Sequence, residues 1–157
     1  MTASDFKHTI QAIDEFGRVI VDNYKAELEA CNYQDGQLYR TLSYSVSTGT
    51  GGWVISVSLE NYWKYIEYGR RPGKMPPLDV IEKWINVRRI IPHSMTLKSG
   101  KTVIPSVKQL SFLIARSIGR RGIAPKPLFK NSFEAAKKQF IQVIKDAITQ
   151  DIKENLI

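Results

Sequence analysis

The stretch Leu42-Ser43-Tyr44-Ser45-Val46-Ser47-Thr48-Gly49-Thr50-Gly51-Gly52-Trp53-Val54-Ile55-Ser56-Val57-Ser58-Leu59 decides the fold class. In its first half Leu42, Tyr44 and Val46 alternate with serines, and in its second half Trp53, Ile55, Val57 and Leu59 alternate with Ser56 and Ser58. A period of two places the apolar set on one face of a strand, and the glycine-rich Thr48–Gly52 between the halves marks the reversal of a hairpin. The same even-numbered alternation runs back to Leu38, so the first strand is expected to start there.

On either side of the hairpin the period changes. Phe6, Ile10, Ile13, Phe16, Ile20, Tyr24 and Leu28 recur at steps of three and four, the stripe of an amphipathic helix with Ser4 placed to cap it. Phe129, Phe133, Ala136, Phe140, Val143, Ile144, Ala147 and Ile152 repeat that spacing and predict a longer helix near the C-terminus. Between them, Tyr62, Tyr65 and Ile66 suit one helical turn stopped by Gly69. Pro76-Pro77 opens a short helix bearing Val80, Ile81, Trp84 and Ile85 that ends near Arg89. Residues 91–105 read as a long loop or small hairpin, and Ser106 caps a further helix with Val107, Leu110, Leu113, Ile114 and Ile118. The expected fold is therefore α+β: a small antiparallel β-sheet flanked and covered by long N- and C-terminal helices, with a short helical insertion at 78–117. At 157 residues this is expected to be one domain, 1–157.

Composition excludes several functions. The single Cys31 allows no internal disulfide, and His8 and His93 have no ligand-spaced companions in the sequence, so no metal site is expected. No apolar run approaches a membrane span, and the N-terminus lacks the pattern of a signal peptide, which points to a cytosol-like setting. Lys98-Ser99-Gly100-Lys101-Thr102 fails as a phosphate loop because Met95 stands where its first glycine is required. His93-Ser94 lacks a neighbouring acid, and Glu60 with Glu67 would need the fold to unite them; Glu67 is expected to pair with a neighbouring arginine. Of three tryptophans able to stack bases, Trp53 and Trp84 are expected in the core, and Trp63 is left open. No catalytic residue and no cofactor is expected.

The net charge of +8 makes a polyanionic neighbour plausible, and the charge is concentrated between residues 70 and 130, where Asp79 and Glu82 are the acids. Two cationic loops stand out: Tyr68-Gly69-Arg70-Arg71-Pro72-Gly73-Lys74, and Gly119-Arg120-Arg121-Gly122 followed by Pro125-Lys126-Pro127. Proline and glycine preorganise both, which lowers the ordering cost of docking. Tyr68, Arg70, Arg71, Lys74, Arg120, Arg121 and Lys126 are the expected contacts to a partner or a second subunit.

Tyr62, Tyr65, Ile66, Glu67, Tyr68 and Gly69, followed by Pro125, Pro127, Leu128, Phe129, Phe133 and Glu134, resemble the two sequence blocks of the tail-completion or neck (head-tail connector) proteins of tailed bacteriophages. In the commonest form of that family the blocks lie close together. Here residues 78–117 separate them, as in a subset with an inserted helical segment. The resemblance implies a structural virion protein without enzymatic activity, made in the host cytoplasm and present in the virion's neck or tail. It implies six or twelve copies in a ring touching other neck, portal or tail proteins, with the genome passing through and no membrane partner. The alternative reading is a basic nucleic-acid-binding accessory protein, and an enzyme whose acids and histidines converge only in three dimensions is a third.

Overall fold

The helical stripes and the alternating stretch become α1 (Lys7–Ala30), β1 (Ser43–Gly49), β2 (Gly52–Ser58) and α6 (Leu128–Asn155) of a computed structural model that describes residues 6–49 and 51–156. Between these lie α2 (Gln37–Thr41), α3 (Trp63–Glu67), α4 (Leu78–Val87), β3 (Met95–Thr96), β4 (Thr102–Val103) and α5 (Val107–Arg121). The fold is α+β, with a small antiparallel sheet and long helices near both ends of the chain. The Ser4 cap expected for α1 lies outside the described residues.

The chain divides into two units: residues up to Glu67 together with those from Lys126 onward, and the intervening 68–125. In the first, α1 and α6 run antiparallel, since Thr9 meets Asp151 at one end while Tyr24 meets Phe129 at the other. Phe16 stacks on Phe140 at 5.7 Å between them. The hairpin register is Tyr44↔Val57, Val46↔Ile55 and Thr48↔Trp53, so the apolar members of the alternating sets face one another on one side. That side lies on α1, and the approach is close enough that α1 carries a glycine there: a Cβ on Gly17 would stand 2.5 Å from the Tyr44 ring. Val21, Tyr24, Leu28, Leu38, Leu42 and Leu128 form the buried core, with Trp63 and Phe129 packed against it. Trp63 is thus half-buried against the core.

Three expectations need correction. Residues 37–41 form the short helix α2 and the strand starts at Ser43. Leu38 and Leu42 are four apart, a spacing common to strand and helix periods, so both face the core in either conformation and the pattern does not separate the two. Trp84 is 46% exposed, because the buried face of α4 belongs to Ile81 and Ile85. Glu67 is buried and spends its carboxylate on backbone, accepting from Phe129 N–H at 2.9 Å and Lys130 N–H at 3.0 Å. These are N–H groups of the first turn of α6, which Pro127 and Leu128 open without a side-chain cap of their own.

Asp151 does the same for α1. Its buried carboxylate accepts from His8 N–H at 3.0 Å, Thr9 N–H at 2.7 Å and the Thr9 hydroxyl at 2.6 Å. Burial alone would raise its pKa, but the Thr9 hydroxyl and the two backbone N–H groups outweigh burial and hold the carboxyl below its ordinary value. Both long helices are therefore capped by carboxylates remote in sequence.

The second unit pairs α4 with α5. Ile81, Ile85 and Ala115 are its buried centre, and Leu78, Ile90, Val107, Leu110, Ile114 and Ile118 pack around them. Ser106 and Gln109 close a reciprocal capping box at the start of α5. The segment 91–105 contains the small hairpin β3–β4, paired Met95↔Val103 and Thr96↔Thr102.

Candidate interaction surface

The two cationic loops meet within the second unit. Arg70 N–H donates to the Ile123 carbonyl at 2.9 Å and Ile123 N–H returns a bond to the Arg70 carbonyl at 2.8 Å, an antiparallel bridge between segments far apart in sequence. Gly73 N–H adds a bond of 2.8 Å to the Gly119 carbonyl. Glycine is required at both crossing points. Gly69 (φ +68°) and Gly122 (φ +73°) adopt left-handed conformations, and a Cβ would strike the Ile123 carbonyl in the first case and the Arg70 carbonyl in the second. The glycines that looked like turn residues are there for backbone approach.

The arginines are held by neutral oxygens. The Arg70 guanidinium donates to the Lys74 carbonyl at 2.6 Å, and Arg121 donates to the Ser117 hydroxyl from Nε at 3.1 Å and from a terminal nitrogen at 2.5 Å. These bonds position the charge without neutralising it. Arg71, Lys74, Arg120 and Tyr68 are exposed, while Arg70 is half-buried. Arg116, Arg120 and Arg121 line an open groove on α5 with Leu113 and Ser117. Lys126 belongs to the first unit, where its ammonium lies 5.3 Å from the centre of the Tyr33 ring and its N–H bonds the Ile66 carbonyl at 2.8 Å. Six of the seven expected contact residues thus lie in one unit and the seventh in the other.

Charge follows the same division. Residues 68–125 carry twelve lysines and arginines against two acids, a net +10, so the chain's +8 leaves −2 for the remainder.

The fold also unites residues that spacing could not connect. His8 Nε2 lies 3.2 Å from both Glu154 carboxylate oxygens, and Asp151 joins them to make a histidine with two acids. These are donors of the kind that hold a divalent cation, so His8 does have companions, contrary to its isolation in the sequence. Asp151 is already committed to three hydrogen bonds, however, and acts in this structure as the α1 cap.

Among the described residues no helix is long and apolar enough to cross a membrane. Comparison with family models, with curated proteins and with solved structures gave no match to this chain.

Proposed function

We propose that this chain is a structural protein of a tailed-phage virion, forming a ring of six or twelve copies at the head-tail connection through contacts made by its cationic loops. The observation that carries the reading is the bridge between Arg70 and Ile123, which fixes two arginine pairs on one exposed, glycine-supported platform. Such a platform suits docking: its backbone is already ordered, so little entropy is lost on contact. The order of the two resembling sequence blocks supplies the virion setting, and the arginines engage carboxylates or carbonyls of adjacent subunits.

The test is composition and assembly. Mass spectrometry of virions of the source phage is expected to find the chain, and replacing Arg70 and Arg71 by alanine is expected to leave the subunit folded while particle assembly fails. Virions without the chain, or full assembly and infectivity of the double variant, refute the reading.

The +10 charge of residues 68–125 favours a second reading, a nucleic-acid-binding accessory protein. Under it, affinity for double-stranded DNA falls steeply with salt, because each neutralised phosphate releases counterions. Loss of DNA binding in the double variant with assembly intact selects this reading over the first.

A further inference from the structure

Helix α4 is apolar on two sides. Ile81 and Ile85 are buried toward Ala115, but Val80 (52% exposed), Trp84 (46%) and Val87 (73%) project elsewhere, with Ile91 (73%) just beyond the helix end. Steps of four and three residues align Val80, Trp84 and Val87 along one stripe of the helix. A single exposed apolar residue is ordinary, but a stripe of them marks a surface that something covers. The unit that bears it has only 58 residues and a buried centre of three, so leaving this much apolar area out of its core is a cost without an internal return.

Charge indicates what covers the stripe. Exposed Lys83 and Arg89 flank it, in a unit of net +10. Residues 6–67 of the first unit carry eight acids against five lysines and arginines, a net −3. Two copies meeting second unit to second unit would oppose +10 to +10, whereas second unit to first unit brings opposite signs together. We infer that the outer face of α4 docks on residues 6–67 of a second copy of this chain. The contact joins two different patches, an arrangement that closes into a ring when the rotation per copy divides the circle. The inference rests on the ring reading above and deepens it, adding a contact through α4 to those of the cationic loops.

The experiment places a photo-cross-linking residue at Val87 of the full chain and irradiates a mixture of 14N- and 15N-labelled copies. Mixed-isotope cross-links from position 87 into peptides of residues 6–67 are expected. In sedimentation, Val87→Asp is expected to weaken self-association at least about tenfold, the effect of losing one buried anchor. Circular dichroism checks that Val87→Asp folds, and if it does not, the cross-link map decides alone. Cross-links confined to 68–125 of the other copy, or no cross-link between copies, overturn the inference. So does flotation with phosphatidylglycerol vesicles that Val87→Asp abolishes in the absence of inter-copy cross-links, which assigns the stripe to a lipid surface. Virion composition is read separately: a chain found in virions but cross-linked elsewhere leaves the neck reading standing without this contact. The stated cross-links from a chain absent from virions do the reverse.

Discussion

Replacing Glu67 by alanine tests the claim that a remote carboxylate caps the longest helix. The side chain accepts two N–H bonds in the first turn of α6, and hydrogen bonds to charged groups contribute about 1.5–3 kcal/mol each. The two losses differ. Lys130 is exposed and its N–H regains water, while Phe129 is half-buried, so its N–H bears a desolvation cost of about 1–3 kcal/mol. The favourable charge at the positive end of the helix dipole, about 0.3–1 kcal/mol, is lost as well. Glu67→Ala should therefore cost about 2–4 kcal/mol, a large part of a stability of about 5–15 kcal/mol. Glu67→Gln keeps an acceptor but loses the charge, and should cost about half as much. Urea unfolding followed by circular dichroism at 222 nm reads α1 and α6 directly. A cost below about 0.5 kcal/mol for alanine, or an equal cost for Arg70→Ala as an ion-pair role would require, refutes the argument.

Gly17→Ala should reverse the usual sign for a helix. Alanine's propensity advantage of about 1 kcal/mol is outweighed by overpacking against the Tyr44 ring of about 1–3 kcal/mol, giving a net loss in thermal unfolding. Asp151→Asn should destabilise at neutral pH, and the gap from the parent should narrow in acid. A carboxyl whose folded pKa is depressed stabilises above its unfolded pKa and loses that contribution as pH falls through the folded value; chemical unfolding between pH 7 and pH 3 checks this. Tyr24→Phe should be neutral or stabilising by up to about 1 kcal/mol, since the buried hydroxyl has no hydrogen-bond partner among the described residues. Gly122→Ala should open the Arg70–Ile123 bridge at a cost of about 2 kcal/mol or more, seen as lost exchange protection of those two amides.

What the sequence disclosed was local. The alternation around residues 42–59, the helical stripes and the Ser106 cap depend on neighbours a few positions apart, and each is where its pattern put it. α2 escaped because a four-residue spacing serves both periods. Trp84 was misplaced because α4 is apolar on two sides, and composition does not say which side has company. The caps were invisible for another reason: Glu67 and Asp151 meet partners 62 and 142 residues away, and a carboxylate beside arginines looks like an ion pair until the fold supplies a helix terminus. At the candidate surface both loops were evident, but their union through Gly69 and Gly122 was not, since a left-handed glycine reads as a turn until another backbone is seen against it.

The bond from Lys126 N–H to the Ile66 carbonyl lies where the chain leaves the first unit and where it returns. Whatever runs between those points, its ends are already tied, and the entropy of closing a loop grows only with the logarithm of its length. The frame made by α1, the hairpin and α6 is thus indifferent to the size of the intervening segment, so a few residues or nearly sixty can be spliced there without rewriting the frame. Such an arrangement lets residues 68–125 change in length or sequence like an exchangeable cartridge, with the housing around them left as it is.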